Sequence, residues 1–164
     1  MIDIIDPKSG SPITETPSDY YRNNGYYRYL EYQLTQATEM NIVITTGMYP
    51  LVASAFIETQ GQAQYLLKEA VVFTGGTPKV PFCYNRVTEI PFATVFKVGA
   101  TITSATAVLR DRLLNFGTNP GQFSTGAESE IAYFIFKPNT SYSMQLIPSV
   151  SMRMTVDLRI VEKH

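Results

Sequence analysis

The run from Val150 to Ile160 alternates without interruption. Val150, Met152, Met154, Val156, Leu158 and Ile160 project one way, and Ser151, Arg153, Thr155, Asp157 and Arg159 the other. Successive side chains of a strand face opposite sides, so this period of two specifies one long strand with a buried and a solvated face. A turn at Lys137-Pro138-Asn139-Thr140 and a second alternating strand precede it, in which Tyr142, Met144 and Leu146 oppose Ser141, Ser143 and Gln145. The same period recurs upstream. Leu30, Tyr32 and Leu34 alternate with Glu31 and Gln33; Met40, Ile42 and Ile44 alternate with Asn41, Val43 and Thr45; Leu51, Ala53, Ala55 and Ile57 oppose Val52, Ser54, Phe56 and Glu58. Beyond Gly61, Ala63, Tyr65 and Leu67 form a further strand, and Phe92, Thr94, Phe96 and Val98 another, ended by Gly99.

Thr74-Gly75-Gly76-Thr77 reads as a turn, because paired glycines reach positive φ at little steric cost. Pro78 and Pro81 restrict pairing, so the stretch to Tyr84 is an edge strand or a loop. Ser104 to Asn115 fits a short helix and a strand through Thr101 to Val108 equally well, and the Gly-, Asn-, Ser- and Thr-rich segment from Asn115 to Glu128 reads as a long exposed loop. Short strands recurring at intervals of about ten residues predict an all-β chain, an antiparallel sandwich of jelly-roll type.

The 164 residues suffice for one domain with a core of its own. Residues 1–28 differ from the rest: Pro7, Pro12 and Pro17 recur among Ser, Thr, Asp and Gly without periodicity, so an extended N-terminal arm is expected ahead of a sandwich over residues 29–164. The net charge of −1 lacks the basic footprint of a nucleic-acid or anionic-membrane binder, so neither partner is expected. No apolar stretch approaches the roughly 20 residues of a membrane-spanning helix. Asp3 and Asp6 stand where a signal peptide carries positive charge, so no secretory leader is expected. The single cysteine, Cys83, precludes an internal disulfide, fits synthesis in a reducing cytoplasm and reads as a small half-buried hydrophobe.

Catalytic chemistry has few candidates. The only histidine is the terminal His164, a poor position for a general base or a zinc ligand, and Cys83 has no internal histidine to activate it. Paired carboxylates for glycoside hydrolysis would come from Glu58, Glu69, Glu89, Asp111, Glu128 and Glu130, yet these sit at strand ends or in loops, where solvated charge is ordinary. Gly75-Gly76-Thr77-Pro78-Lys79 lacks the spacing and following helix of a phosphate loop, and Asn139-Thr140-Ser141 matches a glycosylation pattern without a secretory context. The expectation is a non-enzymatic protein with no metal and no cofactor.

Six of the eleven tyrosines fall within residues 20–32. Tyr20, Tyr21, Tyr26 and Tyr27, interleaved with Arg22 and Arg28, read as a partner-contact surface, since tyrosine offers a large rigid area with a polar tip. Tyr29 and Tyr32 belong to the first strand, one facing solvent and one the core, with Tyr32 assigned to the core. Exposed tyrosines also stack on sugar rings, which keeps a carbohydrate-binding module open as an alternative.

The order of several short signals carries a family resemblance. Gly61-x-Ala63-x-Tyr65-Leu66-Leu67-x-Glu69 leads to Thr74-Gly75-Gly76-Thr77-x-x-Val80 and then Tyr84-Asn85-Arg86. Ile135-Phe136-Lys137-Pro138-Asn139-Thr140-Ser141-Tyr142 and a terminal Ile160-Val161-Glu162 follow. Over residues 50 to 162 this resembles small virion structural proteins of tailed bacteriophages, in which a Gly-Gly-Thr turn, an Asn-Arg segment and a closing Lys-Pro-Asn-Thr-x-Tyr hairpin recur in that order. Here Val87-Thr88-Glu89 follows Asn85-Arg86, where relatives run on in Asn, Arg and Ser. The resemblance implies a β-sandwich that decorates or cements a capsid, commonly as a homotrimer, made in the host cytoplasm and located on the virion surface. The partner would be the major capsid protein or another virion protein, with a neck, tail or fibre-base position as the alternative. In that setting the outward row Arg153, Asp157 and Arg159 reads as a place for contacts between subunits.

Overall fold

The computed structural model describes residues 4–5, 12–13, 26–36, 38–85, 87, 90–114 and 132–163. Their ordered elements are all strands: β1 (Ile4–Ile5), β2 (Pro12–Ile13), β3 (Tyr27–Gln36), β4 (Met40–Thr45), β5 (Leu51–Thr59), β6 (Ala63–Glu69), β7 (Val72–Lys79), β8 (Phe82–Cys83), β9 (Val95–Ser104), β10 (Ala107–Leu114), β11 (Ala132–Phe136), β12 (Ser141–Pro148) and β13 (Met152–Glu162). They form a five-stranded sheet in the order β11-β5-β13-β3-β8, a six-stranded sheet in the order β10-β6-β12-β4-β9-β7, and a separate pair β1-β2.

With β7, β8 and β9 set aside, β3, β13, β5 and β11 are neighbours in one sheet and β4, β12, β6 and β10 in the other. In a chain numbered over those eight strands this is the order 1-8-3-6 facing 2-7-4-5, two interlocked Greek keys. The domain is therefore a jelly-roll sandwich with antiparallel pairing throughout. The β7–β9 segment is an insertion between its fourth and fifth strands. β3 is followed closely by β4, β5 by β6 through residues 60–62, and β12 by β13 through residues 149–151, which stacks each pair across the two sheets. Hence β10 and β11 share one edge of the sandwich, and β8 shares the other with β9 and β7.

The closing strand behaves as its alternation predicts from Met152 onward: Met152, Met154, Val156, Leu158 and Ile160 are buried between the sheets. Val150 departs from the expectation. It is exposed, because the chain is still turning into β13 and is tied there by Ser149, whose backbone N–H donates to the Gln62 carbonyl at 3.0 Å. Facing the inner row of β13 are Met40, Ile42 and Ile44 of β4, Tyr65 and Leu67 of β6, and Met144 and Leu146 of β12. Each fully buried apolar side chain contributes on the order of 1.5–3 kcal/mol, so this layer is a large part of the apolar stabilisation of the domain.

Two glycine readings are corrected. Gly75 and Gly76 do have positive φ, 68° and 86°, but they sit inside β7 rather than in a turn. Gly99, also at φ 68°, interrupts β9 without ending it. Gly75 pairs with Ala100, so both strands of the hairpin bend at one level. The bend carries its far half over the outer face of the six-stranded sheet, where Val71 and Ala100, with Phe73 and Ile102 against them, pack on Val43 in a second small core. That explains why Asn41, Val43, Ser143 and Gln145 are buried although their alternation marks them as outward. The ambiguous stretch after Ser104 is strand, not helix: β10 pairs with β6, with a register shift between Val108 and Arg110.

The Lys137–Thr140 turn is present, with Asn139 in the left-handed region at φ 51°. Its Thr140 N–H donates to Thr46 Oγ1 at 2.9 Å, and Lys137 N–H donates to the Tyr142 hydroxyl at 3.0 Å. The Tyr142 ring lies 4.4 Å from that of Phe136. Tyr142 thus closes the hairpin from inside the core.

Candidate interaction surface

The outer face of the five-stranded sheet can be built from register alone. Ile135 pairs with Val52, Val52 with Val161, and Val161 with Tyr27. The ladder continues past the edge, where Tyr84 N–H donates to the Tyr27 carbonyl at 3.2 Å. Ile135, Val52, Val161 and Tyr27 therefore form one apolar row across four strands, extended by Tyr84 just after β8, about 19 Å wide at ordinary strand spacing. The adjacent row runs Ser54, Arg159, Tyr29 and Phe82. Phe82 is 66% exposed, Ile135 71% and Tyr84 49%.

The aromatic end of this face is stiffened by edge-to-face contacts. The Tyr84 ring lies 5.1 Å from Tyr27 at 69° and 6.2 Å from Tyr29 at 71°, a geometry that aims positive ring edges at negative faces. Partial burial, then a hydrogen bond from its hydroxyl to Asp157 and the charge of that carboxylate, push the Tyr29 pKa up to about 12. Farther along the strands the face turns polar and charged, with Glu31 paired to Asp157 and Gln33 to Thr155, which lies opposite Glu58.

The expected contact residues distribute unevenly. Tyr20, Tyr21 and Arg22 lie outside the described residues, as does Arg86. Tyr26 is half-buried just before β3, and Tyr27 is half-buried on the outer face. Arg28 overturns its assignment to a contact surface. It points between the sheets, is 3% exposed, donates from Nη2 to the Ile90 carbonyl and holds its guanidinium 5.2 Å above the Phe92 ring. The strand begins at Tyr27, so alternation puts Arg28 on the core side. Arg153 and Arg159 are exposed on the outer face as expected, while Asp157 between them is half-buried and engaged by Tyr29. Tyr32 packs against the core.

Among the fold-motif residues, Gly75, Gly76 and Thr77 shape the β7 bend, and Asn85 Oδ1 accepts from Val87 N–H at 2.9 Å. Pro138, Asn139 and Thr140 form the turn that Tyr142 closes. Cys83 is buried, and its Sγ donates to the Asn85 carbonyl at 3.1 Å.

Of the carboxylates weighed for hydrolysis, Glu89, Glu128 and Glu130 lie outside the described residues. Glu58 is on the outer face of the five-stranded sheet. Asp111, at the opposite edge of the six-stranded sheet, accepts from Gln64 Nε2 at 2.8 Å. Glu69 pairs with Lys137 Nζ at 2.6 Å, which raises the lysine's pKa. Sequence reasoning missed Glu162, which is fully buried. Its carboxylate accepts from Ala93 N–H at 3.0 Å and from Thr94 N–H and Thr94 Oγ1 at 2.6 Å each. Arg28 and Glu162 thus clamp residues 90–94 from inside. The only sequence signal for it was a carboxylate falling on the inward phase of β13, two residues after Ile160. Among the described residues, no group of three or more His, Cys, Asp or Glu is arranged to hold a metal ion. No family model matches the chain, and no curated protein matches it.

Proposed function

We propose that this chain is a non-enzymatic structural protein of a bacteriophage virion that decorates and cements the capsid shell as a homotrimer, docked through its N-terminal arm. The observation that carries the reading is the order of the Gly-Gly-Thr, Asn-Arg and Lys-Pro-Asn-Thr-x-Tyr signals along a jelly-roll frame. In that frame the first shapes a hairpin bend and the last a core-closed turn. An apolar row with exposed ends at Ile135 and Tyr84 suits a protein whose work is contact. An arm that orders on binding covers much surface from a short segment, and three arms on one trimer act together.

The test is co-sedimentation with shells of the phage that encodes the chain. The full chain is expected to pellet with shells lacking it, and a variant without residues 1–25 to stay folded and remain in the supernatant. Undiminished pelleting of the truncated chain would remove the arm's role, and failure of the full chain to pellet would remove the decoration reading.

One observation favours a second reading. Phe82 and Tyr84 present exposed rings beside Tyr27, a platform of the kind on which sugar rings stack. Glycan-array binding by the isolated protein, lost on Tyr27→Ala or Tyr84→Ala, would move the assignment to a carbohydrate-binding module.

A further inference from the structure

We propose that Tyr27, Tyr29 and Tyr84 form an oxidation site, at which two one-electron oxidations join the rings of Tyr27 and Tyr84 in a dityrosine link. The site is independent of the capsid reading above.

Three phenol rings meet on the outer face of the five-stranded sheet. Tyr27 and Tyr29 are two residues apart on β3 and share that face. Tyr84 stands against both, its ring centroid 5.1 Å from that of Tyr27 and 6.2 Å from that of Tyr29. The backbone fixes the closer pair, because Tyr84 N–H donates to the Tyr27 carbonyl at 3.2 Å. Their side chains leave adjacent backbone segments at one level, and the 69° angle sets the edge of one ring on the face of the other. A turn about χ2, a soft torsion in tyrosine, brings the carbon beside one hydroxyl to the carbon beside the other.

A phenol gives up an electron readily when its proton has an acceptor at hand. Tyr29 has one: its hydroxyl is hydrogen-bonded to Asp157, and a carboxylate within that reach is placed to take the proton. Tyr84, 49% exposed, opens the cluster to solvent. The electron leaves Tyr29 as the proton shifts to Asp157. Tyr84 then reduces Tyr29, which recovers its proton from Asp157, while Tyr84 releases its own to water.

A second oxidation by the same route, with a proton again passed to water, leaves radicals on Tyr27 and Tyr84 together. They couple through the ring carbons beside the hydroxyls; each carbon then gives up its hydrogen as a proton and each oxygen regains one. Two phenols thus become one biphenol, with two electrons passed to the oxidant and two protons to water. The oxidant is a one-electron acceptor, either a peroxide-activated haem or a photo-excited metal complex. Among the described residues, β8 is joined to β3 at two residue pairs, Arg28 with Cys83 and Tyr29 with Phe82, the shortest pairing in the five-stranded sheet. The link fastens covalently an edge that few hydrogen bonds hold.

The experiment uses the full chain with Cys83→Ser as background, which removes a competing thiol and keeps a donor to the Asn85 carbonyl. It is oxidised with a photo-excited ruthenium complex and persulfate, then cleaved after lysine and arginine. The product is expected to contain residues 23–28 joined to residues 80–86 with the loss of two hydrogen atoms, and fragmentation to place the bond at Tyr27 and Tyr84. Tyr84→Phe is expected to abolish that product. Tyr29→Phe and Asp157→Asn are expected to form it severalfold more slowly, with circular dichroism verifying that each variant is folded. Recovery of residues 80–86 unlinked after other tyrosines have reacted would overturn the proposal, as would a bond from Tyr84 to a second copy, seen as a dimer on a denaturing gel. An unchanged rate in both Tyr29→Phe and Asp157→Asn would overturn the part given to Tyr29.

Discussion

Replacing Glu162 by alanine should be among the most damaging single changes in this chain, although the residue lies next to the end of β13. Its carboxylate accepts from two backbone N–H groups and one hydroxyl within 2.6–3.0 Å, and the side chain is 1% exposed. In Glu162→Ala the Thr94 hydroxyl can turn to another acceptor, but the N–H groups of Ala93 and Thr94 cannot. A buried donor left unsatisfied costs about 1–3 kcal/mol. With two of them, and lost packing, the expected destabilisation is about 3–5 kcal/mol, a large part of the 5–15 kcal/mol typical of a domain. Glu162→Gln keeps one acceptor oxygen and should lose about half as much. Equilibrium urea unfolding at neutral pH reads both, with an unchanged denaturant slope marking a native-state effect. The same measurement on Thr94→Val and on the double variant should show a coupling of at least about 1 kcal/mol, since both changes remove one contact. A loss below about 1 kcal/mol for Glu162→Ala would refute the argument that the clamp on residues 90–94 is a structural necessity.

Gly76→Ala should destabilise more than Gly75→Ala. Both positions have positive φ, but an added Cβ at Gly76 would stand 2.9 Å from the Ala100 Cβ, whereas at Gly75 it meets nothing within 4 Å; thermal melts should separate them, with Gly75→Ala costing only about 1 kcal/mol of backbone strain. Leu158→Ala empties a fully buried core site and should cost about 3–5 kcal/mol, against less than about 0.5 kcal/mol for the exposed Val150→Ala, both read by urea unfolding. Tyr29 should ionise late, near pH 12, and Tyr29→Phe should delete that step from the ultraviolet tyrosinate titration. Because its folded pKa is raised, the stability linked to Tyr29 is fully present below the ordinary value of 10.0 and is lost as pH climbs towards about 12. Asp157→Asn, which removes the carboxylate, should bring the step earlier; an unchanged titration would refute the pairing.

What was legible in the sequence was the period of two. It separated the two faces of β4, β5, β6 and β12 correctly, and those of β13 from Met152 onward, because a one-residue slip would have turned every apolar side chain to water. The failures share one physical origin: alternation reports which residues are paired in phase, not what lies outside the sheet. Asn41 and Ser143 are outward by phase and buried in fact, because a bent hairpin from far along the chain covers them. Arg28 looked like part of a tyrosine-rich surface because its neighbours are aromatic, yet its phase makes it inward, and a buried guanidinium is sustained by contacts at Ile90 and Phe92 that are 62 and 64 residues away. The glycines were recognised as positive-φ positions, but a local signal cannot distinguish a chain that reverses from one that bends. The row linking Ile135 to Tyr84 was unreadable for a related reason, since its members come from four strands and the residue after a fifth and meet only through register.

The two sheets manage their outer faces in different ways, and the difference bears on function. The six-stranded sheet is covered by the chain's own insertion, at the expense of burying amides such as Asn41, whose Nδ2 must find the Ala100 carbonyl at 3.0 Å and Glu39 at 2.9 Å. Among the described residues no hairpin covers the five-stranded sheet in this way, and Ile135 and Tyr84 stand exposed at the two ends of its apolar row. Exposed apolar surface is retained when something else is to bury it, and a sandwich covered on one side directs its partners to the other side and to its edges. Partner contacts are therefore expected on the outer face of the five-stranded sheet around the exposed Phe82 and Tyr84, rather than over Val43 and Asn41, where the insertion closes the other sheet.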